Sequence, residues 1–270
     1  MTAILRIWAT RMTLPPLKSP NGRLATAAAM AVCAAVMALQ LVRSNAHAEP
    51  NISGMEEVDT ALIVSVDVSS SVDEKRYKLQ MEGIAAALED QNVINAVLGG
   101  PNGRILFSMV TWADHQKLVV PWTVISNPEQ AKALASTVRI LPRQSGEFTC
   151  FARMLRYVAD KVIARIPTKA SKIVIDVSGD GPDNCNSGDL MGTVKKDLVE
   201  TPSTINGLPI LEGNDAATIE DWYRENVIGG NGAFLVPAKG YDDFARAFRQ
   251  KFVVEVSQSF PASKASGAVR

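Results

Sequence analysis

The sequence has 270 residues, of which 47% are hydrophobic and 21% are charged, and its 28 basic and 28 acidic side chains give a formal net charge of zero. This length and composition are typical of a globular protein with one large domain or two small ones. The chain has no basic stripe and its four tryptophans are scattered, so nothing indicates a nucleic-acid partner.

Residues 1–48 have the pattern of a secretory signal peptide. They contain five basic residues and no acidic one, then an apolar run from Leu24 to Val42, then the small-x-small sequence Ala46-His47-Ala48. This order predicts export to the periplasm or the medium, with cleavage near Ala48 that leaves a net charge of −5. The alternative is that the apolar run stays as a membrane anchor. No contact of the protein with a membrane is predicted apart from this export signal.

From Asp59 to Val256, short β-branched runs alternate with longer amphipathic stretches, which indicates one α/β domain. Strands are predicted at Thr60–Val68, Ile105–Trp112, Leu118–Ile125, Lys172–Ser178, Thr204–Ile210 and Ala233–Val236. Helices are predicted at Asp73–Glu89, Pro128–Ile140, Thr149–Ile166, Asp189–Val199, Asp215–Val227 and Tyr241–Val256. Residues 49–58 are predicted to form a short linker and residues 257–270 a disordered tail.

This alternation of strands and helices predicts a doubly wound, mostly parallel sheet with helices on both faces. The strands Ile105–Trp112 and Leu118–Ile125 are separated in the sequence only by a short segment with the polar turn Asp114-His115-Gln116, which predicts a hairpin. Leu118–Ile125 is therefore predicted to be the one antiparallel edge strand.

Polar oxygens lie where two of the predicted strands end. Residues 64–71 read V-S-V-D-V-S-S-S, and residues 174–181 read V-I-D-V-S-G-D-G. In open α/β sheets the binding crevice lies beyond the carboxyl ends of the strands, so Asp67 and Asp180 are expected in the same region. A carboxylate followed by alternating hydroxyls suits a hard divalent cation such as Mg²⁺. The alternative is that Ser71 caps the next helix, with Glu74 completing a capping box.

Two cysteines, Cys150 and Cys185, lie beyond the predicted cleavage site. In an exported protein such a pair is a disulfide candidate, and the alternative is two separate buried thiols.

The segment D-V-S-S-S, which contains Asp67, Ser69 and Ser71, resembles the metal-ion-dependent adhesion site of von Willebrand factor type A (vWA) domains. That family combines D-x-S-x-S with a threonine from a second loop and an aspartate after the fourth strand, on a Rossmann-like doubly wound fold. Here Thr149 lies in G-E-F-T-C-F before a predicted helix, and Asp180 follows a predicted strand. The segment V-I-D-V-S-G-D-G-P-D-N more narrowly resembles an uncharacterised subgroup of exported bacterial proteins, the DUF1194-like proteins.

The resemblance implies a ligand set, a cofactor and a partner. The hydroxyls of Ser69, Ser71 and Thr149 would face a Mg²⁺ or Mn²⁺ ion, and Asp67 and Asp180 would supply the charge. One metal position would remain for the acidic side chain of a protein partner. The family usually has a threonine before its last aspartate, whereas this chain has Ser178-Gly179 there.

The resemblance also implies a place for the two cysteines. Cys150 directly follows Thr149, and Cys185 comes five residues after Asp180. A disulfide between them would therefore join two loops of the implied metal site.

Histidine usage argues against an enzyme. His115 is the one histidine beyond the predicted signal peptide, and the chain has no G-x-S-x-G, Walker A or G-x-G-x-x-G motif. A zinc site rich in histidine is excluded by the same count. The prediction is an exported binding module, not an enzyme. The alternatives are a metal-free interaction scaffold of the same fold and a Mg²⁺-dependent hydrolase that uses Asp67 or Asp180.

Overall fold

The computed structural model describes residues 56–185 and 190–257. The predicted signal peptide, most of the predicted linker and nearly all of the predicted tail lie outside these residues. None of the helices in the described ranges has both the length and the apolar character that crossing a membrane requires.

Five strands form one sheet, and they are β1 (Val58–Asp67), β2 (Ile105–Trp112), β3 (Gln116–Ile125), β4 (Ala170–Gly179) and β5 (Ser203–Pro209). Their order in the sheet is β3-β2-β1-β4-β5. Four strands are parallel, and β3 pairs antiparallel with β2 at the edge. The predicted fold class is therefore confirmed, including its single antiparallel edge strand.

Seven α-helices lie in the described ranges, and they are α1 (Glu74–Glu89), α2 (Gln91–Leu98), α3 (Pro128–Arg139), α4 (Phe151–Tyr157), α5 (Leu190–Val199), α6 (Ile219–Trp222) and α7 (Phe244–Ser257). Two of them continue as other helical turns: α4 through Val158–Val162 and Ile163–Arg165, and α6 through Tyr223–Val227. A 3-10 turn, Tyr241–Asp243, precedes α7. Helix α2 was not predicted. The Asp90 carboxylate caps its start by accepting hydrogen bonds from the Asn92 and Val93 amides.

Two predicted elements differ from the structure. The strand predicted at Ala233–Val236 is wrong, because this segment makes only isolated bridges to the sheet. Gly207 donates its amide to the Phe234 carbonyl and accepts from the Val236 amide, and the Ala238 amide donates to the Pro209 carbonyl. The helix predicted from Asp215 begins four residues later, because the Asp215 carbonyl first closes a turn with the amides of residues 218 and 219.

The sheet is buried on both faces, since alternate residues of β1 enter two separate cores. Leu62 packs with side chains of α1, α3 and α7, whereas Ile63 packs with side chains of α4, α5 and the turn after α6. All ten residues of β1 are buried. The end of β1 therefore lies at the centre of the sheet, between its two helical layers.

Candidate metal centre

The two aspartates of the predicted site lie at the same edge of the sheet. β1 ends at Asp67, and β4 ends one residue before Asp180. The two strands are parallel neighbours, with Val66 opposite Ser178. The chain leaves β1 towards β2 on one side and returns to β4 on the other, so this edge is the crevice where the strand order reverses.

A chain of hydrogen bonds connects the two aspartates through the serines between them. The Ser69 amide donates to Asp67 Oδ1 at 2.7 Å, and the hydroxyls of Ser69 and Ser71 are 3.2 Å apart. The Ser71 hydroxyl then donates to Asp180 Oδ1 at 2.7 Å. Thus Asp180 lies beside D-x-S-x-S although Gly179 replaces the threonine that the vWA family usually has.

Ser71 is free for this contact because another residue caps α1. The Asp73 carboxylate accepts a hydrogen bond from the Arg76 amide at 2.8 Å, which satisfies one of the free amides at the helix start. The alternative in which Ser71 caps this helix is therefore wrong.

Thr149 reaches the same region from the loop before α4. Its amide donates to Asn184 Oδ1 at 2.7 Å, and the Asn184 amide donates to the Thr149 carbonyl at 3.0 Å. A disulfide joins Cys150 to Cys185, with their Cα atoms 5.1 Å apart. The predicted pairing is therefore present, and it ties the Thr149 loop to the loop that follows Asp180.

These loops surround one cleft of about 480 Å³. Four of the five predicted ligands line it, namely Ser69, Ser71, Thr149 and Asp180. The fifth, Asp67, lies fully buried behind them. The charged residues that also line the cleft, none of them predicted, are Arg76, Glu147, Glu212 and Asp215.

Burial makes the charge on Asp67 unfavourable. Desolvation, followed by repulsion from Asp180, raises the pKa of Asp67 to about 7, although the hydrogen bonds from Ser69 act in the opposite direction. Asp67 Oδ2 is buried and has no hydrogen-bond partner among the described residues. A cation close to the two carboxylates would favour the ionised form of Asp67 and so oppose this rise in its pKa.

Two buried tyrosines adjoin the aspartates, and the sequence patterns did not indicate either of them. A Cβ atom on Gly179 would lie 2.9 Å from both Asp67 Oδ2 and Tyr223 Oη, so glycine allows these groups to approach closely. Burial and then Asp67 raise the pKa of Tyr223, and burial and then Asp180 raise that of Tyr241. They follow Asp67 by more than 150 residues, and no motif in the sequence marks them.

The residues present fit a hard divalent cation. Two carboxylates and three hydroxyls form an all-oxygen set of the kind that Mg²⁺ and Mn²⁺ accept. Within residues 56–185 and 190–257, no three His, Cys, Asp or Glu side chains form a metal-binding cluster. A cation here would therefore depend on the hydroxyls as well as the two aspartates.

Comparisons with known proteins agree with this fold. A family model described as "Protein of unknown function (DUF1194)" matches residues 57–260. No curated protein matches the sequence.

Solved structures show the same fold at low identity. The chain is similar to proximal thread matrix protein 1 from the mussel byssus, with 14% identity, 73% of this chain and 46% of that one covered, and a TM-score of 0.54. It is also similar to that protein with a zinc-occupied MIDAS (metal-ion-dependent adhesion site) motif, with 14% identity, 74% and 48% covered, and a TM-score of 0.52. A von Willebrand factor type A protein from Catenulispora acidiphila matches with 14% identity, 74% and 43% covered, and a TM-score of 0.54. The chain thus has a vWA-like fold and spans less than half of each of these proteins.

Proposed function

The chain belongs to the DUF1194 family of proteins of unknown function, and we propose that it is an exported, metal-dependent protein-binding module of the adhesion type. It holds Mg²⁺ or Mn²⁺ and captures an acidic side chain of a protein partner. The alternative is a metal-free scaffold of the same fold.

The observation that carries this proposal is the meeting of three separate loops at one cleft. Ser69 and Ser71 come from the loop after β1, which Asp67 ends. Thr149 comes from the loop before α4, and Asp180 from the loop after β4. The Ser71–Asp180 hydrogen bond of 2.7 Å connects two of these loops directly. A structural relative with a zinc-occupied MIDAS motif supports the same reading of the fold.

The proposed ligands suit capture of a third carboxylate. Two protein carboxylates neutralise a dication, and hydroxyl ligands add no further negative charge. The cleft is open to solvent at Ser71, so a partner's carboxylate has access to the proposed metal position. The bond to the partner would then be electrostatic and directional, which favours specificity.

We propose no catalytic role. His115 lies on an exposed hairpin turn, with Nε2 3.3 Å from Asp114 Oδ2, and it does not line the cleft. A phosphate-cleaving site would be helped by a lysine near the metal, but Lys172 lies at the start of β4, at the opposite end from Asp180. Arg76, the one basic side chain among the described residues that line the cleft, is paired with Glu212.

The disulfide supports export. A bridge between Cys150 and Cys185 is typical of proteins that fold in an oxidising compartment. The periplasm or the medium is therefore the proposed location.

Calorimetric titration of Mg²⁺ and Mn²⁺ into the chain from residue 49 onward tests the proposal. We expect binding by the wild type and loss of binding in Asp67→Asn, since this substitution removes charge with little change in volume. The matched control is Asp197→Asn, which removes an exposed carboxylate on α5 and should leave binding unchanged. Absence of binding in the wild type would favour the metal-free scaffold. Equal binding in Asp67→Asn with an unchanged circular dichroism spectrum would overturn the assignment of Asp67 to the metal site.

A further inference from the structure

We propose that the carboxylate taken by this site belongs to a segment with basic side chains on either side, and that Glu147 and Asp215 select it. This inference rests on the proposed function, because it concerns the partner of the same site. Its basis is the charge that remains at the cleft once the metal and the internal ion pairs are counted.

The charges at the centre of the cleft balance each other. A dication would neutralise Asp67 and Asp180. Arg76 and Glu212 form an ion pair of 2.8 Å, in which both Nε and Nη2 of the arginine donate to Oε1 of the glutamate. Neither the metal with its two aspartates nor the Arg76–Glu212 ion pair therefore presents a net charge to an approaching partner.

Each of the three guanidinium nitrogens of Arg76 already donates a hydrogen bond within the protein. Its third nitrogen, Nη1, donates to the Ser71 carbonyl at 2.5 Å, and its guanidinium lies 5.3 Å from the centre of the Tyr241 ring. Glu212 is held as well, because its second oxygen accepts from the Tyr241 amide at 2.9 Å. The positive charge of Arg76 is therefore paired with groups in the wall of the cleft.

Two carboxylates remain at the mouth of the cleft. Glu147 is exposed and Asp215 is partly exposed, and neither side chain makes an ion pair or a hydrogen bond within the described residues. Among the described residues that line the cleft, these two would thus contribute a charge of −2 at the mouth of the metal-loaded cleft.

These two carboxylates border the proposed metal position from different loops. Glu147 lies two residues before Thr149, and its carbonyl accepts from the Ser70 hydroxyl at 2.9 Å, which holds this loop against D-x-S-x-S. Asp215 Oδ2 and Thr149 Oγ1 are each 3.9 Å from the position that a Cβ atom would have on Gly181. The mouth is therefore acidic on both the Thr149 side and the side of the loop after β5.

A lone acidic side chain would meet repulsion at such a mouth. Like charges placed against each other in an interface are unfavourable, whereas complementary charges direct the correct partner. Lysine or arginine beside the captured acid would turn both repulsive contacts into attractive ones. The charge pattern thus favours a basic-acidic-basic segment over an isolated acidic residue.

Two blocked pentapeptides test this inference, acetyl-Gly-Lys-Glu-Lys-Gly-amide and acetyl-Gly-Ala-Glu-Ala-Gly-amide. Their affinities are measured from NMR shift changes of the protein at saturating Mg²⁺ and again in EDTA. We expect Mg²⁺-dependent binding of both, with roughly 3- to 10-fold tighter binding of the lysine peptide, the range that two partly exposed ion pairs give. Added salt should reduce this preference.

The double variant Glu147→Gln, Asp215→Asn should weaken binding of the lysine peptide and strengthen binding of the alanine peptide. Partial unfolding would weaken the binding of both peptides, so it cannot explain opposite changes in the two affinities. The control Asp197→Asn, which removes an exposed carboxylate away from the cleft, should change neither affinity.

The outcomes separate the inference from the proposed function. Equal, Mg²⁺-dependent binding of the two peptides would overturn the inference and leave the proposed function in place. A lysine preference that persists in EDTA would overturn the metal-dependent function while supporting the acidic mouth. Lack of binding by either peptide would overturn both.

Discussion

Asp67 is the residue whose chemistry depends most on its place in the fold. It ends the central strand, is fully buried, and has Asp180 as a charged neighbour. Burial and this neighbour raise its pKa from 3.8 to about 7. Without a metal, the folded chain therefore keeps a proton on Asp67 that the unfolded chain loses at much lower pH.

We predict that Mg²⁺ affinity rises with pH up to about 7 and then levels off. Below that pH the metal must displace the proton of Asp67, so affinity should change by up to about tenfold per pH unit. Calorimetry in two buffers of different ionisation enthalpy measures both the affinity and the protons released. An affinity that is constant from pH 5.5 to 8, with no proton release, would contradict the prediction.

The same pKa determines how the stability of the metal-free chain depends on pH. A carboxyl with a raised folded-state pKa stabilises the fold fully below its unfolded value of 3.8, and this contribution is lost as pH rises through about 7. In EDTA the contribution of Asp67 should therefore be larger at pH 5.5 than at pH 8. Mg²⁺ should offset the loss at the higher pH, because it binds the ionised site.

The five proposed metal-site residues could be predicted because each lies at a recognisable boundary. Asp67 ends β1 and Asp180 directly follows β4, and parallel strands bring their ends to one edge. Tyr223 and Tyr241 could not be predicted, because their positions depend on how the last third of the chain packs. The ion pair between Arg76 and Glu212 could not be predicted for the same reason, since these residues are 136 positions apart in the sequence.

At the scale of elements, α7 is held to the sheet by buried charges as well as by aromatic packing. Lys251 is fully buried and forms ion pairs with Asp176 of β4, at 2.5 Å, and with Glu255 one helical turn later. Glu255 also accepts from the Asn206 side chain of β5 at 2.8 Å. Burial and then Glu255 raise the pKa of Asp176, while Lys251 opposes this shift.

Replacing Lys251 by methionine should destabilise the fold by about 3–5 kcal/mol, because two buried carboxyl groups would lose their cation. Urea unfolding at pH 7.5 measures the loss. The control is Arg246→Met in the same helix, whose ion pair with Asp243 is partly exposed and should contribute only about 0–1 kcal/mol. A loss for Lys251→Met no larger than that of the control would show that the buried pairs contribute little net stability.

Helix periodicity predicted α7 but not this cluster. Lys251 and Glu255 lie on the same face as Phe244 and Phe248, so the spacing alone places two charges among apolar residues. Their partner, Asp176, is one of the polar residues in an otherwise apolar strand. The sequence thus contained the signal, but only the packing of α7 on β4 shows that the charges meet.

At the scale of the whole molecule, the site depends on loops that leave the sheet at different points. β1 and β4 hold two of these loops next to each other, because the strands are hydrogen-bonded neighbours. The Thr149 loop precedes α4 and has no strand of its own to fix it. The alternation of strands and helices was enough to predict the sheet, but the position of this loop required the three-dimensional structure.

The disulfide is the covalent link that helps to hold the Thr149 loop, and its removal should affect both stability and metal binding. It closes a loop across a sequence separation of 35 residues, for which chain entropy predicts a contribution of about 3–4 kcal/mol to the free energy of unfolding. Reduction should lower this free energy and also weaken Mg²⁺ binding, because Thr149 would lose its covalent link to the loop after Asp180. The double variant Cys150→Ala, Cys185→Ala is the control, since it should match the reduced wild type and not respond to reductant. Unchanged Mg²⁺ affinity in a fully reduced, folded chain would mean that the hydrogen bonds between Thr149 and Asn184 position the hydroxyl without the disulfide.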